Sequence, residues 1–216
     1  REETENALID LAFLGIDNVL VLRGDAPKNE TFFEPEQGGN HYAIDLLKQV
    51  VDLNHGLYLE EEVKDPGNAQ FCIGVAGYPE KHFEAVSLDE DMRYLKQKVD
   101  AGAEYMVTQM FFNNKKYFDF VKKCREIGIN IPIIPGIKPL STLKQLEILP
   151  EIFHLEIPES LALEVRKCDN NAAVKQVGIE WAIQQGKELI QANVPALHFY
   201  TMSKSDSVRA IASALF

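Results

Sequence analysis

A short apolar run stops abruptly at charged residues in the segment Asn18-Val19-Leu20-Val21-Leu22-Arg23-Gly24-Asp25-Ala26. An unbroken apolar run of this length is typical of a strand that is buried on both faces, as in a parallel sheet. In parallel α/β proteins, ligands bind at the carboxyl ends of the strands, which is where Arg23-Gly24-Asp25 would lie. Taken alone, these three residues are more typical of a solvated turn. Whether they belong to a binding site depends on the rest of the chain.

Strands and helices follow one another along the rest of the 216 residues. Apolar runs predict five strands, at 19–22, 71–76, 105–108, 132–135 and 196–200. Amphipathic patterns and caps predict helices at 2–14, 41–54, 87–101, 115–127, 141–149, 159–167, 172–192 and 205–215. This order predicts a parallel sheet with right-handed crossovers, either a doubly wound open sheet or a (β/α)8 TIM barrel.

No Gly-x-Gly-x-x-Gly follows any predicted strand, so the fingerprint of a dinucleotide-binding Rossmann fold is absent and we favour the barrel. The prediction is a single catalytic barrel domain over residues 1–216, which supplies roughly the last five of the eight βα units. About three βα units are then expected to precede Arg1.

The composition argues against several classes of partner. The formal net charge of -11, from 33 acidic and 22 basic residues, disfavours nucleic acid and anionic membrane surfaces. No apolar run approaches the roughly 20 residues that a membrane-spanning helix needs. The three cysteines, Cys72, Cys124 and Cys168, form no Cys-x-x-Cys pair, so neither a zinc ribbon nor a redox dithiol is predicted. These features predict a reduced, cytoplasmic setting.

Every predicted strand ends in a polar or conformationally special residue. The five endings are Arg23-Gly24-Asp25, Gly77-Tyr78, Gln109, Pro135-Gly136 and Tyr200-Thr201. In a parallel barrel these endings would converge on one pocket that holds a carboxylate, a guanidinium, an amide and aromatic rings. Such a pocket suits a planar, hydrogen-bonding ligand better than a metal ion, which prefers several His, Asp or Glu side chains together. We therefore predict no metal site.

The helix after the second strand gives a second indication of a binding site. Asp91, Tyr94 and Lys98 share one face of that helix, because they are spaced three and four residues apart. Its amino terminus, marked by the capping-box spacing of Ser87-Leu88-Asp89-Glu90, could hold a phosphate. An ordinary solvated face explains the same spacing equally well.

Six motifs stand in order along the chain: Leu22-Arg23-Gly24-Asp25, Ala76-Gly77-Tyr78-Pro79-Glu80-Lys81-His82, Lys98-Val99-Asp100-Ala101-Gly102-Ala103, Thr108-Gln109-Met110-Phe111-Phe112, Ile134-Pro135-Gly136-Ile137 and Leu197-His198-Phe199-Tyr200-Thr201. In this order they resemble the methylenetetrahydrofolate reductase family over nearly the whole chain. The resemblance implies a (β/α)8 barrel with FAD bound non-covalently at the carboxyl-terminal rim, which agrees with the predicted βα units.

The resemblance also implies a flavoprotein oxidoreductase of one-carbon metabolism and methionine biosynthesis. NADH or NADPH would reduce the flavin, which would then deliver hydride to methylenetetrahydrofolate and give methyltetrahydrofolate. Asp25 matches the family's active-site aspartate, which lies near flavin and folate and stabilises the cationic form of the folate. A preorganised carboxylate in a poorly solvated pocket can stabilise positive charge in this way.

The resemblance assigns further residues to ligands. Those that match FAD contacts are Arg23, Gly24, Asp25, His41, Tyr42, Tyr78, His82, Phe83, Glu84, Ala85, Asp91, Tyr94 and Lys98. Those that match folate or nicotinamide contacts are Asp25, Gln109, Gln145 and Lys204. Lys204 stands where some members have arginine, which keeps the charge but loses the bidentate fork.

The family's general acid is a glutamate on the first strand, which would lie upstream of Arg1. We therefore expect the 216 residues alone to be inactive. Bacterial-type relatives are commonly homo-oligomers, so the resemblance implies a homo-oligomer with no nucleic-acid or membrane partner.

Two other functions stay open at this point. One is a non-catalytic relative that binds flavin or folate without turnover. The other is a (β/α)8 lyase that uses a lysine or a metal. No lysine falls within a predicted strand, where it could form a Schiff base, so the sequence disfavours the lyase.

Overall fold

The computed structural model describes residues 1–26, 33–60, 62–63 and 67–216, and its elements appear in the predicted order. The strands are β1 (Asn18–Val21), β2 (Cys72–Gly77), β3 (Tyr105–Met110), β4 (Ile133–Ile137) and β5 (His198–Phe199). The helices are α1 (Glu2–Phe13), α2 (Ala43–Asn54), α3 (Leu88–Asp100), α4 (Asn114–Glu126), α5 (Gln145–Phe153), α6 (Glu159–Arg166), α7 (Asn171–Gln191) and α8 (Asp206–Leu215).

The five strands belong to one sheet in the order β1-β2-β3-β4-β5. β1 pairs in parallel with β2, and Asn18 lies opposite Cys72. β4 pairs in parallel with β5, and Gly136 lies opposite His198. Strands that join the sheet in sequence order, with helices between them, are the topology of consecutive βα units of a (β/α)8 barrel. The predicted fold class is confirmed.

The chain divides into two compact units, which are described separately. The first comprises residues 1–76 and 93–106. Its fully buried apolar side chains include Leu47, Leu53, Ile73 and Met106. The buried amide of Gln49 donates to the carbonyl of Arg1 at 2.9 Å and accepts from Asn40 at 2.8 Å. Both hydrogen bonds offset the cost of burying this polar group.

A glycine in β2 makes room for an aromatic ring that reaches across the strands of the first unit. The Tyr105 hydroxyl donates to the carbonyl of Val19 in β1 at 2.9 Å. A Cβ atom at Gly74 would lie 2.2 Å from the Tyr105 ring, so no larger residue fits there. Burial raises the pKa of the Tyr105 phenol.

The second unit comprises residues 77–92 and 107–216. Its apolar cluster is built from β3, the segments after β3 and β4, and helices α5 to α7. The buried members are Met110, Phe112, Leu140, Leu149, Leu155, Leu161, Val165 and Val174. The long helix α7 is fixed to the segment after β3, because Gln185 donates to the carbonyl of Phe111 at 3.2 Å and Trp181 to that of Phe112 at 3.0 Å.

Several predicted boundaries are wrong by two to four residues. β4 runs to Ile137 instead of ending at Pro135, so Gly136 lies inside the strand. β5 comprises only His198–Phe199 instead of 196–200, and α2 begins at Ala43 instead of residue 41.

β3 continues through Gln109 to Met110 instead of ending at Thr108. The predicted helix at 141–149 begins only at Gln145 and runs to Phe153. The Gln145 carboxamide oxygen accepts from the backbone N–H groups of Ser141 and Thr142, so these residues form a turn before the helix.

The remaining structural expectations concern membranes, metals and cysteines. In the ranges that the structure describes, no helix has both the length and the apolar character needed to cross a bilayer. Those ranges also hold no group of three or more His, Cys, Asp or Glu side chains placed to bind a metal ion. All three cysteines are free thiols.

Candidate active site

In the first unit, the chain turns sharply after β1. Val21 is buried, and Gly24 adopts a φ of +85°, a left-handed conformation that favours glycine. The Arg23 guanidinium carbon lies 5.1 Å from the centroid of the Phe33 ring, a cation–π contact. Asp25 is exposed. The turn therefore presents a carboxylate to the solvent directly past the carboxyl end of β1.

Four further residues of the first unit were assigned to FAD by resemblance. His41 and Tyr42 are exposed and precede α2, and the Tyr42 N–H donates to the Asp45 carboxylate at 2.9 Å. Tyr94 is 47% exposed on α3. The Lys98 ammonium donates to the carbonyl of Ala76 at 3.1 Å, which holds its charge against the carboxyl end of β2.

In the second unit, the loop of residues 78–87 between β2 and α3 carries five of the predicted FAD contacts. They are Tyr78, His82, Phe83, Glu84 and Ala85. Lys81 sits at a φ of +81°, which is rare for a residue with a side chain. Its ammonium donates to the carbonyls of His82, Phe83 and Ala85. A single side chain therefore stabilises the backbone conformation of the loop at three positions.

A chain of ring contacts runs along this loop. The Tyr78 and His82 rings meet edge to face at 4.6 Å, and His82 and Phe83 lie 4.9 Å apart. Phe83 in turn stacks on His154 at 5.2 Å, beyond the end of α5. The Asp91 carboxylate accepts from the backbone N–H of His82 at 2.8 Å. Asp91 thus fixes the position of His82.

Glu80 anchors the same loop to the rest of the second unit. Its Oε2 accepts from the backbone N–H of Glu156 at 3.1 Å and lies 3.7 Å from the Lys116 ammonium. Its Oε1 is buried and makes no hydrogen bond to any described part of the chain. Burial, the largest influence, raises the pKa of the Glu80 carboxyl above its ordinary value.

We expect Glu80→Gln to gain stability relative to the wild type as the pH rises. A raised carboxyl pKa in the folded state stabilises the protein below the ordinary pKa, and that stabilisation is lost as the pH passes the raised pKa. Glutamine keeps an acceptor oxygen for the Glu156 N–H but has no charge to bury. Urea unfolding at about pH 4 and pH 7 measures the difference, with Glu151→Gln, an exposed glutamate on α5 of the same unit, as the control. A pH-independent difference would contradict the expectation.

The predicted folate or nicotinamide contacts of the second unit lie past the carboxyl ends of strands or close to them. The Gln109 carboxamide oxygen accepts from the N–H of Met110, its own neighbour, at 2.9 Å. The Gln145 oxygen is used by Ser141 and Thr142, as described above. Lys204 is exposed in the segment after β5. Within the described residues these three side chains make no hydrogen bonds to one another.

Sequence reasoning missed a close packing arrangement at the carboxyl ends of β3, β4 and β5. The Tyr200 hydroxyl donates to the carbonyl of Thr108 at 2.8 Å, and the Thr108 hydroxyl accepts from the Gly136 N–H at 3.0 Å. A Cβ atom at Gly136 would lie 2.6 Å from the Tyr200 ring. Burial raises the pKa of Tyr200 to about 12. A glycine inside a strand was the available signal, since it often marks a close approach.

A family model described as "Methylenetetrahydrofolate reductase" matches residues 1–215. The chain belongs to the methylenetetrahydrofolate reductase family. The family resemblance carried by the six sequence motifs is therefore confirmed.

Curated members of the methylenetetrahydrofolate reductase family are similar along nearly all of the chain. "Methylenetetrahydrofolate reductase (NADH) 1" of Arabidopsis thaliana is 38% identical over 97% of this chain and 35% of its own length. The Caenorhabditis elegans "Probable methylenetetrahydrofolate reductase (NADPH)" is 37% identical over 100% of this chain and 30% of its own length. "5,10-methylenetetrahydrofolate reductase" of Salmonella typhimurium is 36% identical over 100% of this chain and 66% of its own length. The chain thus spans only part of these relatives.

A solved structure supports the fold of this methylenetetrahydrofolate reductase family member. A Clostridium thermocellum protein, described as binding two copies of 5-methyl-5,6,7,8-tetrahydrofolic acid, matches with a TM-score of 0.56 and 16% identity. The match covers 91% of this chain and 70% of that chain. At this identity the likeness shows a shared fold.

Proposed function

We propose that the protein is a flavoprotein oxidoreductase that reduces methylenetetrahydrofolate to methyltetrahydrofolate with NADH or NADPH, through FAD. The observation that carries the proposal is the family match over residues 1–215, which includes every residue assigned to a ligand. Relatives are named for NADH and for NADPH, so the proposal covers both dinucleotides.

The residues present suit a large, flat and anionic cofactor such as FAD. Three of the assigned contacts are aromatic and exposed, at 63% for Tyr42, 53% for Phe83 and 47% for Tyr94, and such rings can stack on a planar heterocycle. Arg23 and Lys98 supply positive charge for a pyrophosphate. The cofactor, when bound, would supply hydride chemistry that no side chain provides.

Asp25 is placed to stabilise the folate substrate in the proposed reaction. Gly24 turns the chain so that the carboxylate stands exposed past β1. As a bound folate becomes positively charged, a carboxylate already in place can stabilise that charge without reorganising. The stabilisation grows when bound ligands exclude water, because charges interact more strongly in a medium of low dielectric constant.

Gln109 and Gln145 are suited to holding a ligand by hydrogen bonds. In both, the carboxamide oxygen is bonded to the backbone of the protein, which fixes the orientation of the amide. The amide nitrogen of each can then donate to a carbonyl or ring nitrogen of a heterocycle. The Lys204 ammonium adds a cation for a carboxylate or phosphate.

The absorbance spectrum of the purified full-length protein tests the proposal. We expect flavin bands that bleach when NADH or NADPH is added without oxygen, and that return when methylenetetrahydrofolate follows. Protein that cannot bind flavin would contradict the proposal and favour a lyase. Flavin that binds but is not bleached would favour a non-catalytic relative.

A further inference from the structure

Lys138, in the second unit, is a buried lysine that directly follows the last residue of β4. Only 8% of its surface is exposed. Its ammonium makes no hydrogen bond or ion pair with any residue in the ranges that the structure describes. Burial lowers the pKa of this group, because water that would stabilise its charge is excluded. Its nitrogen is nevertheless not among the fully enclosed side-chain atoms of the described residues that lack a partner, so the buried stem brings the ammonium group to the surface, where an anion can reach it.

The strand register places Lys138 beside the packed strand ends described above. Gly136 lies opposite His198 and Ile137 opposite Phe199. The Tyr200 N–H donates to the carbonyl of Ile137 at 2.9 Å, which continues the parallel ladder by one step. Lys138 therefore lies opposite Tyr200. Because side chains alternate along a strand, it shares one face of the sheet with Gly136, His198 and Tyr200.

The backbone that carries Lys138 is held firmly on its carboxyl-terminal side. Leu140 is 1% exposed and packs directly against α7. The fit leaves no space, since a Cβ atom at Gly178 would lie 2.0 Å from the Leu140 carbonyl oxygen. Gln145 then binds the N–H groups of Ser141 and Thr142. The backbone that follows Lys138 is thus fixed by packing and hydrogen bonds, which limits what it costs to order this segment when a ligand binds.

The segments around these two strand ends are basic in an otherwise acidic chain. No aspartate or glutamate occurs in residues 133–146, which include Lys138 and Lys144. None occurs in residues 192–205 either, which include Lys204. The whole chain carries a formal net charge of -11. Positive charge concentrated in this way attracts an anionic ligand.

We propose that Lys138 is a further substrate-binding residue whose ammonium group binds an anionic oxygen, a carboxylate or a phosphate, of a substrate. The assignment rests on the proposed function, in which a folate brings carboxylates and a dinucleotide brings phosphates. A buried stem with an accessible ammonium group suits this role, since the charge is held in one place and a ligand can still reach it.

Lys138→Met in the flavin-loaded protein tests the assignment, because methionine keeps the length of the side chain and removes the charge. Isothermal titration measures the dissociation constants of NADH, NADPH and methyltetrahydrofolate. We expect at least one to rise by about 10- to 100-fold, the loss of one hydrogen bond to a charged group. Flavin content and Tm should both stay close to those of the wild type. Lys187→Met, an exposed lysine on α7, is the control for net charge.

The pattern of affinities identifies the source of the anion. A change for methyltetrahydrofolate alone assigns a carboxylate, a change for the dinucleotides alone assigns a phosphate, and a change for both assigns a shared site. Unchanged affinities for all three, beside a wild type that binds them, would overturn the role of Lys138. Wild-type protein that binds none of the three would overturn the proposed function, and this role with it.

Discussion

Asp25→Asn is expected to slow the reduction of methylenetetrahydrofolate by about 100- to 1,000-fold, the usual effect of removing one preorganised electrostatic group. The carboxylate is exposed in the turn after β1 and packs into no core, so the fold should not change. Asparagine has nearly the same shape but no charge to stabilise a cationic folate. Single-turnover measurements with each substrate in turn separate the two hydride transfers.

The control for Asp25→Asn is Asp10→Asn, which removes an exposed aspartate from α1 in the same unit. Flavin content and the unfolding midpoint should match the wild type in both variants. Transfer to the folate should fall in Asp25→Asn alone. Folate reduction at the wild-type rate in that variant would remove Asp25 from its proposed role.

Gly178→Ala is expected to destabilise the second unit by about 1–3 kcal/mol, the usual cost of overpacking a core. The new methyl group would lie 2.0 Å from the carbonyl oxygen of Leu140 and 2.8 Å from its nitrogen. Backbone atoms cannot rotate away, so α7 must move as a whole. This cost exceeds the roughly 0.5–1 kcal/mol that alanine gains over glycine within a helix. Urea unfolding followed by circular dichroism measures the net change in the free energy of unfolding.

Gly186→Ala is the matched control, because it makes the same change eight residues further along α7. There the new methyl group would lie 2.5 Å from a terminal carbon of the Leu215 side chain. A flexible side-chain end can shift at little cost, so this variant should stay close to wild-type stability. Equal losses in the two variants would show that the backbone contact at Leu140 is not what restricts position 178.

The sequence was sufficient to predict the order of elements and the parallel topology, since both depend on local patterns. Boundaries were less predictable, because they depend on hydrogen bonds that a local pattern does not show. Gln109 was interpreted as a polar strand ending, yet β3 continues to Met110. Ser141 was interpreted as the start of a helix, yet Gln145 takes the N–H groups that would begin it.

In the candidate site, too, residues that belong to a local pattern could be recognised from the sequence, and residues whose role depends on tertiary contacts could not. The turn at Arg23-Gly24-Asp25 was recognisable because an apolar run stopped at a glycine. The role of Lys81 was not, since a lysine at a positive φ that binds three carbonyls has no sequence signature. Lys138 was not singled out from the sequence, because its burial arises from the fold around it.

The proposed function requires a bound flavin to pass hydride to a folate, and one half-reaction tests this step by itself. The full-length, flavin-loaded protein is reduced by light under nitrogen, with EDTA as the electron donor and no dinucleotide, and then mixed with methylenetetrahydrofolate in a stopped-flow spectrometer. We expect the flavin absorbance to return in a single turnover, with one methyltetrahydrofolate formed for each flavin. Flavin that stays reduced in the presence of the folate, with no methyltetrahydrofolate formed, would contradict it.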